Sequence, residues 1–252
     1  MPAPIGLIAA LPNEIRPLLA ASAPISWEDV GQFRIYRFQL AGRSTCLVAA
    51  GMGRERALAA TEALISTVLP GVIVSFGFGG AILPGLVVGD LVVGRDYCRL
   101  TADGCSPRTA FDRNLVATVT GTVGGIEGTI ITTDRIVAKR ELMETLPEGI
   151  DTPVLDMETA AVAEAAQRHH IPLLALRAIS DDAREELSFS LDEFTDNQMT
   201  IRPSRVLGTI LRKPWIIPQL MRLAINGRNA ARTLATALTA VVPLLTPPDR
   251  EP

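Results

Sequence analysis

Histidine is nearly missing from this chain of 252 residues, which holds two, His169 and His170, side by side. No H-E-x-x-H pair or multi-histidine metal site can be built from them, and a Ser-His-Asp triad is not expected. Cysteine is scarce and odd in number: Cys46, Cys98 and Cys105, without a C-x-x-C spacing. That argues against a disulfide scaffold or a zinc site and for reduced thiols. Positive charge is not in excess, with 24 Lys and Arg against 27 Asp and Glu, so the whole chain offers no basic field to nucleic acid. No G-x-x-x-x-G-K-[ST] loop occurs. What remains for proton transfer is the carboxylates, and no metal or redox cofactor is expected.

The first residues, MPAPIG, lack a basic region followed by an apolar stretch and a cleavage site, so no signal peptide is expected. Residues Ala63 to Gly89 run for 27 residues without a charge, long enough to cross a bilayer. Pro70, Pro84, Gly71, Gly77, Gly79, Gly80 and Gly85 interrupt that run. A spanning helix could not repair so many breaks, and the stretch reads as a helix end, a buried strand and a glycine loop. A cytoplasmic protein is expected.

What is there is ordinary globular composition, 48% hydrophobic and 20% charged. Apolar runs at Ile5–Ala10, Val72–Phe76 and Pro172–Ile179 suit buried strands. FRIYRFQL at 33–40 alternates and pairs naturally with STCLVAA at 44–50 as a hairpin. Arg56–Val68 and Met157–Arg168 read as helices, the second with Asp156 as its cap. Strands alternating with helices predict an α/β fold with a largely parallel central sheet. Ligands in such sheets sit beyond the carboxyl ends of strands, which singles out Glu14, Gly77–Gly80, Asp156–Glu158 and Ser180–Asp181.

Each of these has two readings. Asp181 is a helix cap or a partly desolvated general acid. Asp156 and Glu158 balance a helix dipole or accept hydrogen bonds from vicinal hydroxyls. Glu14 starts a helix or serves a site. Gly77-Phe78-Gly79-Gly80 lets backbone approach a flat ligand or phosphate closely, and Arg54 and Arg56 either face solvent or meet an anion.

Taken together, IGLIAALPNEI (5–15), AGMG (50–53), VSFGFGGAILPGLVVGDLVV (74–93), TTD (132–134), LDMETAA (155–161) and LRAISDDA (176–183) carry a resemblance. In this order they resemble the purine nucleoside phosphorylase / methylthioadenosine–adenosylhomocysteine nucleosidase superfamily, over residues 3–200. The long basic tail is similar to that of the hopanoid-associated phosphorylase subgroup. The resemblance implies a three-layer fold with a twisted, mixed, largely parallel sheet between helices, followed by a C-terminal helical extension. It implies that Asp181 protonates or hydrogen-bonds purine N7, that Glu158 binds the ribose hydroxyls and that Glu14 orients or deprotonates the attacking water. It places Met157, Met52 and Asp156 at the sugar, Phe78, Gly79 and Gly80 beside base and sugar, and Ser180 and Arg177 behind the acid. Arg54 and Arg56 are the candidate phosphate ligands, inorganic phosphate being the alternative acceptor to water. Phe78 stands where many relatives carry a small hydroxyl residue, Asp156 where Glu is commoner, and Ile136 and Leu191 where nucleosidases tend to show Phe. A changed 5′ pocket follows.

The implied activity is cleavage of the base–ribose bond of a 5′-modified adenosine, adenosylhopane in the first instance, with release of adenine. A soluble methylthioadenosine, adenosylhomocysteine or futalosine nucleosidase is the rival enzyme. A silent nucleoside-binding or membrane-adaptor protein is the rival of another class. A homo-oligomer is expected by analogy.

The expected division is a catalytic domain at 1–200 and a basic helical extension at 201–252. That extension holds eight basic and two acidic residues, +6 against −9 for the rest. It either completes an oligomer contact or covers the core, or its arginines and Trp215 meet a membrane surface at the inner face.

Overall fold

The computed structural model describes residues 2–101, 104–135, 137, 139–147, 149–183, 209 and 212–246. The strands are β1 (Ile5–Ala9), β2 (Ser26–Val30), β3 (Phe33–Leu40), β4 (Arg43–Ala49), β5 (Val72–Ala81), β6 (Leu91–Thr101), β7 (Gly104–Cys105), β8 (Thr109–Ala110), β9 (Ile126–Thr133), β10 (Pro153–Asp156) and β11 (Leu173–Asp181). The helices are α1 (Pro12–Ala21), α2 (Arg54–Val68), α3 (Arg113–Val123), α4 (Lys139–Thr145), α5 (Thr159–Arg168) and α6 (Ile217–Val241).

The strands join one mixed sheet in the order β10-β9-β6-β11-β5-β1-β4-β3-β2. Parallel pairings link β4, β1, β5 and β11, and separately β6, β9 and β10. The end of β5 also pairs with β10, Val154 opposite Ala81 and Leu155 opposite Gly80, so one half of the sheet closes on itself. β1 alternates between two cores. Ile5 and Leu7 enter the core under α1, α3 and α6, whereas Ile8 enters the one under α2 and α5. A strand covered on both faces must be apolar throughout, and β1 is IGLIA. The result is the expected three-layer α/β architecture.

The 33–40 and 44–50 runs form the expected hairpin, turned by Ala41 and Gly42, both with positive φ. The glycine stretch differs from the sequence reading. Gly77–Gly80 is not a loop closing β5 but the continuation of the strand through Ala81. Its glycines are required by contacts instead of by a turn. A Cβ on Gly77 would come 2.8 Å from Glu14 Oε1, and one on Gly79 would strike Val154. β11 likewise continues through Asp181.

Within the region read as an extension, α6 has two halves. Ala230, Leu234, Ala237, Leu238 and Val241 are buried in the same core as β1, β5 and β11. Ile217, Met221 and Ile225 lie on the surface. Ile136, Leu191, Arg202 and Arg205 lie outside the described residues.

Candidate active site

The carboxyl ends of β1, β5, β10 and β11 are where the folded chain gathers its acids. Glu14 stands in the first turn of α1, directly after β1. Its Oε2 accepts the N–H groups of Ala10 (2.9 Å) and Leu11 (2.7 Å), donors that a helix start leaves unpaired. Its Oε1 reaches across to β5 and accepts Phe78 N–H at 2.8 Å. Burial pushes its carboxyl above the ordinary value. The N–H groups of Leu11 and Phe78, the charge of Arg177 and the N–H of Ala10 pull it back.

Glu158 stands between β10 and α5. Its Oε1 accepts the N–H of Gly53 at 2.8 Å, from the turn before α2. Gly53 has φ 94°, a conformation in which glycine carries no penalty. This contact joins residues 105 apart in sequence and brings the turn that holds Met52 and Gly53 against Glu158. Burial raises the Glu158 carboxyl to about 8, aided by the charges of Asp156 and Glu14 and opposed by Gly53 N–H and Arg177. Glu14 and Glu158 thus lie in each other's field.

Asp181 ends β11, against β5 at Gly80. Ser180 Oγ donates to its Oδ1 at 2.7 Å. Its Oδ2 forms an ion pair with Lys139, the first residue of α4. The Lys139 ammonium also donates to the carbonyls of Asp181 (3.2 Å) and Asp182 (2.6 Å) and is itself buried. A Cβ on Gly80 would come 2.9 Å from Asp181 Oδ2. Gly77 beside Glu14 and Gly80 beside Asp181 are three residues apart on β5, about 10 Å at the usual strand rise. Phe78, partly exposed, lies between them.

Asp156, expected at the sugar, and Arg177, expected behind the acid, instead form a buried ion pair with each other at 2.6 Å. Asp156 Oδ1 accepts Thr132 Oγ1 (2.6 Å), and Oδ2 accepts Thr159 N–H (2.9 Å), Thr159 Oγ1 (2.6 Å) and Arg177 Nη2 (2.6 Å). Arg177 also donates to Ser75 Oγ and to the Leu176 carbonyl. With 5% and 2% exposure and full sets of internal partners, neither is presented to a ligand. They are the brace beneath Glu14 and Glu158, and the capping of Thr159 keeps part of the expected N-cap role. Arg54 turns away as well, pairing with Glu164 on α5 at 2.5 Å. Arg56 packs under Gly51, where a Cβ would come 2.7 Å from its Nε.

Lys139 is the functional neighbour that sequence reasoning missed. A signal existed: the chain has two lysines, Lys139 and Lys213, and all its other basic residues are arginine. Among the described residues no group of three or more His, Cys, Asp and Glu could hold a metal. A surface depression of about 420 Å³ bordered by Asp29, Gln32, Phe33, Arg34 and Tyr36 lies on the β2–β3 hairpin and shares no residue with the carboxylates.

The raised Glu158 carboxyl has a stability signature. A carboxyl group held protonated by the fold, about 8 against 4.5 for the free group, binds its proton more tightly folded than unfolded. Its destabilising contribution is absent below 4.5, grows as pH rises through this window and is complete above 8. Glu158→Gln removes it. The variant is expected to match the parent in melting temperature near pH 4.5 and to exceed it at pH 9. A gap independent of pH would contradict the assignment.

A mixed, half-closed sheet flanked by helices, with acids gathered at its strand ends, is the nucleoside phosphorylase-like α/β architecture. It superimposes on the 5′-methylthioadenosine/S-adenosylhomocysteine nucleosidase of Neisseria meningitidis in complex with methylthio-immucillin-A. The TM-score is 0.72 at 22% identity, covering 96% of this chain and 99% of that one. The futalosine hydrolase of Helicobacter pylori gives a TM-score of 0.73 at 19% identity, covering 96% and 98%. A model of the phosphorylase superfamily matches residues 4–212, and the chain belongs to that superfamily as an enzyme of the nucleoside phosphorylase/nucleosidase kind. In sequence it is 27% identical over 215 residues to the 5′-methylthioadenosine/S-adenosylhomocysteine nucleosidase of Listeria monocytogenes, covering 75% of this chain and 91% of the relative. The Shewanella halifaxensis protein of the same name is 28% identical over 209 residues.

Proposed function

We propose that the protein hydrolyses the N-glycosidic bond of a 5′-substituted adenosine and releases adenine. The observation that carries this is the pair Glu14 and Glu158, each anchored by backbone N–H groups and close enough to feel the other's charge, with Asp181 at the end of β11 opposite Gly80. In this reading the purine lies against Phe78–Gly80 and the ribose against Met157 and Met52. Glu158 accepts the sugar hydroxyls. Asp181, held by Ser180, gives N7 a proton that it draws from the Lys139 ammonium paired with it. The C1′–N9 bond then breaks with its electron pair going to the base, which leaves neutral. The oxocarbenium-like sugar forms beside Glu14 and Glu158, water oxygen adds to C1′, and Glu14 takes the water proton. Preorganised charge at the developing cation and one placed acid are the two large sources of rate.

Water is favoured over phosphate as acceptor. Of the two expected phosphate ligands, Arg54 is engaged by Glu164 and Arg56 packs under Gly51. All the relatives named above are nucleosidases or hydrolases by name.

The finer reading is that the 5′-substituent is a hopane lipid, the substrate being adenosylhopane at the inner face of the membrane. Its support is the position of α6, which passes Phe78 at Gly227 and carries exposed apolar side chains just upstream. The relatives' names favour the second reading, methylthioadenosine, adenosylhomocysteine or futalosine. Base release from each nucleoside, with and without phosphate, tests both. Adenine from adenosylhopane in phosphate-free buffer, with a free reducing sugar as co-product, is the expected result. Strict dependence on phosphate would overturn hydrolysis. Turnover of methylthioadenosine alone would overturn the lipid substrate.

A further inference from the structure

The two halves of α6 solve different problems. At 100° per residue, Ala230, Leu234, Ala237, Leu238 and Val241 form one face and are buried in the core. Thr233 Oγ1 ties the same half to the Gly89 carbonyl at 3.1 Å. On the far side, Ile217, Met221, Ile225, Arg228 and Arg232 follow one another at spacings of four, four, three and four, which is a single line along the helix. Ile217, Met221 and Ile225 are 41%, 61% and 53% exposed, and Trp215, in the turn of 3-10 helix just before, is 66% exposed. Three large apolar side chains in solvent along one line, with Trp215 exposed just before them, are a surface built to be covered.

The charge beside this line indicates by what. α6 contains no acidic residue, and Arg222, Arg228 and Arg232 are its only charged groups. From residue 200 to 248 the chain has no Asp or Glu at all. An isologous pairing of two copies through this line would offer the arginines no acidic partner on the facing helix. An anionic lipid surface offers phosphates to the arginines and an apolar layer to the rest, the arrangement of helices that lie in a membrane interface. No described helix is long and apolar enough to cross a membrane.

We infer that residues 215–232 are a docking element for an anionic bilayer, lying flat with Trp215, Ile217, Met221 and Ile225 at the acyl boundary. The element lies over the carboxylate site. A Cβ on Gly227 would come 3.6 Å from the ring of Phe78, whose N–H holds Glu14. The inference rests on the surface of α6 and not on the identity of the 5′-substituent.

Vesicle co-sedimentation of the full-length protein tests it, using phosphatidylcholine alone and phosphatidylcholine with an equal share of phosphatidylglycerol. Binding to the anionic vesicles at least 10-fold stronger than to the neutral ones, and lost in high salt, is expected. A Trp27→Phe background leaves Trp215 as the sole tryptophan, and its emission should shift to the blue on anionic vesicles. The double variant Met221→Asp, Ile225→Asp should lose vesicle binding while keeping its circular dichroism and melting temperature. Equal binding to both vesicles, binding to neither, or undiminished binding by the double variant would overturn the inference. So would absence of vesicle binding together with an oligomer that the double variant dissociates, which would assign the line to a second copy. Adenine release is scored separately, so an inactive protein that docks, or an active one that does not, identifies which proposal has failed.

Discussion

Asp181→Asn is expected to lower kcat by about 10²–10⁴-fold, the range for losing one placed general acid, while the fold persists. Asparagine has the same shape and keeps an acceptor for Ser180 Oγ, which now bonds Asp181 Oδ1 at 2.7 Å. The Lys139 ammonium loses its carboxylate but keeps the carbonyls of Asp181 and Asp182 at 3.2 and 2.6 Å, so the end of β11 remains tied to α4. The Asp181 side chain is 28% exposed, so water reaches the buried Lys139 ammonium when the carboxylate charge is lost, and the loss of stability stays small. Steady-state adenine release beside a thermal melt separates the two effects. A parent-like kcat would remove Asp181 from the chemistry, whereas a large drop in melting temperature would make it a structural residue.

Arg177→Met is expected to act in the opposite way, on the fold first. The guanidinium is 2% exposed and holds Asp156, Thr159 and Ser75 at 2.6, 2.6 and 2.9 Å. Methionine fills similar space but leaves the Asp156 carboxylate buried without its cation. Breaking a buried pair from one side costs about 3–5 kcal/mol. For a chain of this size each kcal/mol moves the melting temperature by roughly 2–4 °C, so a fall of about 6–20 °C follows. Arg177→Lys should recover only part of it, because an ammonium cannot reproduce the fork that spans three partners. A change below about 1 kcal/mol would show that the brace is not what holds the strand ends together. Activity should fall too, since Arg177 tempers the upward push on both Glu14 and Glu158.

The contrast between these two residues marks how far the sequence could be read. Apolar runs and alternation located β1, β3, β5 and β11, because burial on one or both faces leaves a periodic trace. Glu14 and Asp181 stand out because they come just after, or at the end of, such a run, and Glu158 because it follows Val154 and Leu155 at a helix start. The glycines of β5 do not, since clustered glycine argues against a strand unless one knows what stands opposite. Glu14 and Val154 stand opposite, and neither is near in sequence. Asp156 shows a related limit. A carboxylate at a helix start reads equally as cap, ion pair or ligand, and only its burial with Thr132, Thr159 and Arg177 decides. Lys139 left no periodic trace because its contact spans 42 residues and lies on a seven-residue helix. The split of α6 was hidden for a further reason. Composition sums its two halves into one basic helix, and only the geometry separates a core face from an outward apolar line.

The most direct test of the central claim, that Glu14, Glu158 and Asp181 surround one nucleoside, is a crystal structure of the Asp181→Asn variant with an uncleaved 5′-substituted adenosine. Purine N7 within hydrogen-bond distance of residue 181 and the ribose hydroxyls on Glu158, with Glu14 facing C1′, is the predicted result. A nucleoside bound with its glycosidic bond away from these three side chains would contradict the account.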